Sequence, residues 1–218
     1  MDKINRVNII DVWGYDRLYP ILQDAFRVLY ISYQIVIPKR QKNKYFKRKG
    51  TPLENNLTDD LVKNTTELPK NFDYRIQKQQ EDFETNSKID IAVLYSLKFG
   101  DNSYDLKIEC KRLDNLNYLI DDGIMSFKTN KYAAKLSLAG MLTYNTSGMI
   151  SENIELLNKK IEQKISNSEM LSHSKIIEDY GYTYLSSHQR LSNSKIDIYT
   201  MALEFQDVIR NSDEVKNL

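Results

Sequence analysis

Ile108-Glu109-Cys110-Lys111 lies near the end of a β-like run from Tyr104 to Leu113, and its reading decides the fold. Strand side chains alternate between faces, so Glu109 and Lys111 project from one side of a sheet and Cys110 from the other. A second apolar run opens at Lys88-Ile89-Asp90 and continues through Ile91, Val93 and Leu94 to Leu97. Between the runs, Phe99-Gly100-Asp101-Asn102-Ser103 is rich in turn formers, which predicts a hairpin. That pairing would set the Asp90 carboxylate against Glu109, beside the Lys111 ammonium. Hard oxygen ligands of this kind suit a divalent cation that polarises a phosphoryl oxygen and acidifies water. Lys111 could orient or deprotonate the attacking water, or neutralise charge developing in a phosphorane-like transition state. A Glu-x-Lys on its own is also the ordinary solvated face of a half-buried sheet.

Toward the N-terminus, Thr51-Pro52-Leu53-Glu54 has the form of a helix start, with Thr51 at the N-cap, Pro52 at N1 and Glu54 at N3. Two roles are therefore open to Glu54, capping its own helix or lying at the metal. Earlier still, Leu18, Ile21, Leu22, Ala25, Phe26 and Leu29 recur at helical spacing and predict an amphipathic helix from Tyr15 to about Tyr33. Between Pro38 and Gly50, a basic loop carries Lys39, Arg40, Lys42, Lys44, Lys47, Arg48 and Lys49, with Tyr45 and Phe46 interleaved and no acid. Such a segment can neutralise phosphates and stack aromatics on unpaired bases. A flexible solvated loop has the same composition. Weak alternation from Asp73 to Asp82 predicts an edge or first strand.

Downstream, a helix is expected over much of Ser126 to Tyr144, with Lys128, Lys131 and Lys135 on one face. Another is expected from Ser151 to about Ser166, capped by Ser151 and striped with Ile154, Leu157, Ile161 and Ile165. Strands are predicted on either side of Leu191-Ser192-Asn193-Ser194, between Tyr182 and Phe205, with an irregularity at Tyr199-Thr200. His188 and Arg190 end the first of these on a shared face. Arginine there offers bidentate phosphate contact, and a structural pair is the alternative.

In order and spacing, Glu54, Asp90, Glu109 and Lys111 resemble the PD-(D/E)xK nuclease superfamily. Asp90 matches the metal-binding aspartate of its second core strand, and Glu109 and Lys111 match the E-x-K of the third. Glu54 matches the acid many members carry on the preceding helix, while Ile89 stands where the name-giving proline would be. Beyond the core, the stretches around Gly123-Ile124-Met125-Ser126-Phe127, Gly140-Met141 and Ser187-His188-Gln189-Arg190 resemble uncharacterised bacterial members, often found near restriction or phage-defence genes. The resemblance implies an α/β fold with a restriction-endonuclease-like core, a central mixed sheet of about five strands flanked by helices. It also implies Mg²⁺ or Mn²⁺ held by Asp90, Glu109 and Glu54, with Lys111 at the nucleophilic water. Lys131 and Tyr132, on the element after the E-x-K strand, become substrate-phosphate contacts by the same resemblance.

Composition is compatible with that reading. At 218 residues, 41% hydrophobic and 28% charged, the chain suits one domain over 1–218, its catalytic core spanning about 51–145. No apolar run reaches the ~20 residues needed to span a bilayer, and no signal-peptide pattern is visible, so a cytoplasmic address is expected. One cysteine excludes an intrachain disulfide, and two distant histidines disfavour a histidine metal site. Glycine-rich phosphate loops and nucleophile elbows are absent. The expected activity is metal-dependent hydrolysis of nucleic acid, DNA ahead of RNA, with a homodimer or defence-system partner compatible with it. The alternatives are a non-cutting binding module of the same fold and a partner-activated, toxin-like effector.

Overall fold

The predicted hairpin is present: Ser87–Tyr95 and Asp105–Arg112 run antiparallel, with Ile91 opposite Ile108 and Leu94 opposite Asp105. The computed structural model describes residues 7–46, 53–65, 74–82, 87–95 and 105–210. The hairpin's connection, along with Lys47, Arg48, Lys49, Thr51 and Pro52, lies outside the described residues. In chain order the elements begin with α1 (Val7–Lys42), β1 (Tyr45–Phe46), α2 (Leu53–Thr65), β2 (Tyr74–Asp82), β3 (Ser87–Tyr95) and β4 (Asp105–Arg112). There follow α3 (Leu116–Tyr118), a π-helical turn (Leu119–Ile124), α4 (Met125–Lys128), β5 (Leu138–Asn145) and α5 (Ile150–Lys164). Last come β6 (Ser172–His173), β7 (Thr183–Gln189), β8 (Lys195–Glu204) and β9 (Ile209–Arg210).

These form a mixed seven-stranded sheet in the order β2-β3-β4-β5-β8-β7-β6, and β1 pairs separately with β9. The sheet is thus larger than the resemblance implies. β2 is the edge strand expected from the weak alternation, and β7 and β8 are the antiparallel strands expected near the C-terminus. No irregularity occurs at Tyr199-Thr200, because β8 pairs with β5 continuously from Asp197 to Glu204. The helix expected over Ser126 to Tyr144 is overturned: helix ends at Lys128, and β5 occupies Leu138–Asn145 with every residue buried. A parallel strand covered on both faces reads as a continuous apolar run, without the period that marks an amphipathic strand.

Helix α1 is longer than its apolar stripe predicts and runs through Pro20 and Pro38. An interior proline costs ~3 kcal/mol. Burial of Leu18, Leu22, Phe26 and Leu29 outweighs that at ~1.5–3 kcal/mol per side chain. Lys39, Arg40 and Lys42 consequently belong to the last turn of α1 rather than to a loop. Helix α5 starts after Met149, whose side chain makes no cap, so Ser151 is a helical residue and not the N-cap. Asn153 instead donates to the Ser147 carbonyl and to Asn145 Oδ1, tying the helix start to the end of β5.

The sheet carries different cargo on its two faces. On one, α1 closes on Gly140 of β5, where an added Cβ would lie 2.8 Å from Ile108 Cγ1 and 2.9 Å from Leu22 Cδ1. Thr58 of α2 bonds the buried Tyr144 hydroxyl on the same side at 2.9 Å. The opposite face carries Glu109, Lys111 and Met141, covered by the π-helical turn, whose Gly123 approaches Met141 and Lys111. No helix among the described residues is long and apolar enough to cross a membrane. Because Ile108 is β-branched and fully buried, Gly140→Ala should cost about 1–3 kcal/mol by overpacking, read as a lower urea midpoint with an unchanged slope.

Candidate active site

Glu109 and Lys111 project together from β4 onto the face beneath the π-helical turn and are 2% and 3% exposed. The Lys111 ammonium lies 2.5 Å from Glu109 Oε1. At the start of β3, where the ladder to β4 begins only at Ile91, the Asp90 carboxylate accepts the Cys110 amide at 2.9 Å. Glu54, in the first turn of α2, accepts the Arg112 amide through Oε2 at 3.1 Å. Its Oε1 lies 4.0 Å from the Lys111 ammonium. The structure therefore gathers Glu54, Asp90, Glu109 and Lys111 at the end of β4, and it directs Glu54 toward that end. Cys110 faces away and is fully buried, as its strand position requires.

A carboxylate to which the sequence reading gave no role completes the surroundings. Asp122, on the π-helical turn, places Oδ2 3.5 Å from the Lys111 ammonium and Oδ1 3.4 Å from that of Lys131. Tyr118 lies close enough to the same carboxylate for its hydroxyl to help hold Asp122 low, and its ring centroid is 4.9 Å from the Lys111 ammonium. Tyr132 is buried against Phe127, close enough to Glu109 and Asp122 for their charge to help raise its pKa after burial itself. Lys131 and Tyr132 are thus both at the site, the first on its rim and the second within its wall. The π-helical turn, a form often found at functional sites, is the one sequence-invisible feature that puts Asp122 there.

Crowded acids in a dry place hold their protons. Burial first, then the charge of Asp90, pushes the Glu109 carboxyl up to about 8, against the opposing pull of Lys111. Burial likewise carries Glu54 up to about 7. Asp90 is raised by burial too, although Lys111 and the Cys110 amide resist. Burial would lower Lys111, but the charge and hydrogen bond of Glu109 outweigh it and keep the ammonium protonated. Asp122 runs the other way: burial is overcome by the Tyr118 hydroxyl, Lys111 and Lys131, so its carboxyl sits low.

Hard oxygen donors are what Mg²⁺ or Mn²⁺ requires, and Glu109 Oε2 is buried without a hydrogen-bond partner. The donor set fits such a cation on those grounds. As they stand, the carboxylates are turned to amides and to Lys111, and no cluster of three or more potential ligands is drawn together among the described residues. No family model, no curated protein and no solved structure matches the chain, so its chemistry is read from its own residues.

Other residues expected to meet nucleic acid are engaged within the protein. Arg40 pairs with Asp60 of α2 at 2.5 Å and lies over the Tyr45 ring, while Lys39 donates to Asn64 Oδ1 at 2.9 Å. The absence of an acid from the basic stretch is thus offset in space by Asp60. Tyr45 is 5% exposed and its hydroxyl also donates to Asp60, so its ring is closed to stacking. Lys42 is exposed and Lys44 half-buried. Arg190 donates to the carbonyls of Phe127, Ala133 and Ala134, clamping the turn that follows α4. His188 is buried between Glu169 Oε2 at 2.7 Å and Ser186 Oγ at 2.8 Å, and both Glu169 oxygens take the Lys128 ammonium. His188 and Arg190 therefore serve the interior, and Lys128 does not share an exposed face with Lys131 and Lys135.

Two outcomes test this electrostatic description. Breaking the buried pair by Lys128→Met should cost about 3–5 kcal/mol in chemical unfolding, and Lys128→Met with Glu169→Gln should lose less than the sum of the two single changes. In EDTA, Glu109 contributes stability that is full below its ordinary 4.5 and lost as the pH rises through about 8. Thermal unfolding should accordingly fall across that window, and Glu109→Gln should flatten the fall.

Proposed function

We propose that this chain is a metal-dependent phosphodiesterase acting on nucleic acid, DNA ahead of RNA, on a restriction-endonuclease-like core. The observation that carries the reading is the buried Lys111 ammonium against Glu109, with Asp90 and Glu54 brought to the same end of β4 from a neighbouring strand and a helix. A purely solvated Glu-x-Lys pair would leave these side chains exposed. Asp90 and Glu109 would hold Mg²⁺ or Mn²⁺, with Glu54 beside them, and the chemistry supplied there is Lewis-acid polarisation of the phosphoryl group.

The protein's own part follows from charge and placement. Lys111 remains an ammonium, so it orients water and stabilises negative charge gathering on the phosphoryl oxygens instead of removing a proton. Glu54, with Oε2 on the Arg112 amide, presents Oε1 to the same place and can accept a proton there. Asp122 contacts both Lys111 and Lys131, and Lys131, half-exposed on the rim, is the one an incoming phosphate would meet first. Cleavage of both strands of a duplex would call on a second copy of the site.

A second reading is favoured by the closed Lys111–Glu109 contact: a module of the same fold that binds without cutting, or an effector whose partner opens that contact. Plasmid, linear duplex, single-stranded DNA and RNA should be incubated with the protein in Mg²⁺, Mn²⁺ or EDTA. Under the phosphodiesterase reading cleavage requires metal, is abolished in Glu109→Ala, and drops about 100-fold or more in Lys111→Ala while unfolding stays cooperative. Cleavage by Lys111→Ala at the parental rate overturns the assigned mechanism. Silence on every substrate, with Mn²⁺ still bound in calorimetry and lost in Glu109→Ala, transfers the site to the second reading.

A further inference from the structure

The rim of this site holds an aromatic ring that the roles above leave without a task. Tyr118 ends α3, immediately before the π-helical turn, and is 45% exposed. The neighbouring Tyr132 is 5% exposed and packed edge-on against Phe127, which leaves it no open face for a ligand. Tyr118 differs in every respect that matters for recognition. Its ring lies 4.9 Å from the Lys111 ammonium, and its hydroxyl is near Asp122, which is itself held by Lys111 and Lys131. No other aromatic ring stacks on it among the described residues.

An exposed tyrosine on a short helical turn ordinarily swings freely and gains nothing from being aromatic. Here the Lys111 ammonium lies against the ring, which restricts the side chain and lessens the entropy lost when a flat ligand settles on it. Base–aromatic stacking tolerates any sequence, because every nucleobase has a π-face, but it needs a base released from its own helical stack. A nucleotide whose base rests on Tyr118 would find two ammonium groups within reach of its phosphate, Lys111 inside the site and Lys131 outside it.

We propose that Tyr118 is a stacking platform for an unpaired nucleobase, which makes single-stranded or locally unpaired nucleic acid the substrate class of this site. The proposal rests on the phosphodiesterase reading and adds a specificity-determining residue to it. Fluorescence anisotropy would follow binding of a short single-stranded DNA oligomer containing 2-aminopurine, and of its duplex, to the full chain carrying Glu109→Gln to prevent cleavage. Adding Tyr118→Ala should weaken single-strand binding about 5- to 150-fold, the span that base–aromatic stacking provides, and relieve the 2-aminopurine quenching. Tyr118→Phe keeps the ring and should keep both, and duplex affinity should be the same in all three proteins. Thermal unfolding of both variants should match the parent, since the ring is exposed.

Single-strand binding unchanged by Tyr118→Ala overturns the platform while leaving the phosphodiesterase reading in place. An equal loss in Tyr118→Phe also overturns it, because the hydroxyl and not the ring would then be responsible. If neither the single strand nor the duplex binds the parent, the phosphodiesterase reading falls, and the platform with it.

Discussion

An ammonium can remain charged inside a sheet only if acids surround it, and the burial of Lys111 is the constraint from which the rest of the site follows. Glu109 is its direct partner, but one carboxylate cannot be released into a dry interior without raising the proton affinity of its neighbours. Glu54 and Asp90 are each held by a backbone amide of β4, and Asp122 by a second ammonium, that of Lys131. Each acid except Glu109 is thereby positioned by something other than Lys111 alone. The cluster is in consequence rigid in geometry and soft in charge, since protons enter and leave Glu54 and Glu109 near neutrality while the side chains stay anchored.

The parts of this arrangement that were legible in the sequence are those with a local period. Alternation announced β3 and β4, and with them the shared face of Glu109 and Lys111. Helical spacing announced α1 and α5. Leu138–Asn145 escaped because a strand covered on both faces by helices loses its alternation, and its apolar run imitates a buried helix. Asp122 escaped for a different reason. It reaches Lys111 through a π-helical turn, whose wider winding moves a side chain off the face that a regular α-helical count assigns to it. Partners distant in sequence were equally hidden: Asp60 for Arg40, and Glu169 for His188 and Lys128, are matched only once the chain is folded.

Charged residues near a suspected nucleic-acid site divide by what they do in the folded chain. Arg40, His188 and Arg190 satisfy carboxylates and carbonyls, and their donors are directed inward. Lys131 stands on the rim with nearly half of its side chain exposed, paired to Asp122 by a contact that solvent can reach. The difference is one of desolvation: a guanidinium buried on three carbonyls has no reason to leave them, whereas an exposed ion pair is worth little and exchanges readily for a phosphate.

The Arg190 clamp carries a consequence for how the molecule comes into being. Ala133 sits at φ 54, a left-handed conformation that a residue with a Cβ does not hold unaided, and the guanidinium of Arg190 takes its carbonyl at 2.6 Å. Every acid of the site lies before that turn, and its clamp lies beyond β5, α5 and β6. On a ribosome the acidic cluster would emerge well ahead of the strand that braces it, and β5 would wait as long for β8, its neighbour in the sheet. The cluster therefore takes its final geometry late, and the nascent chain carries its acids and Lys111 without the frame that aligns them.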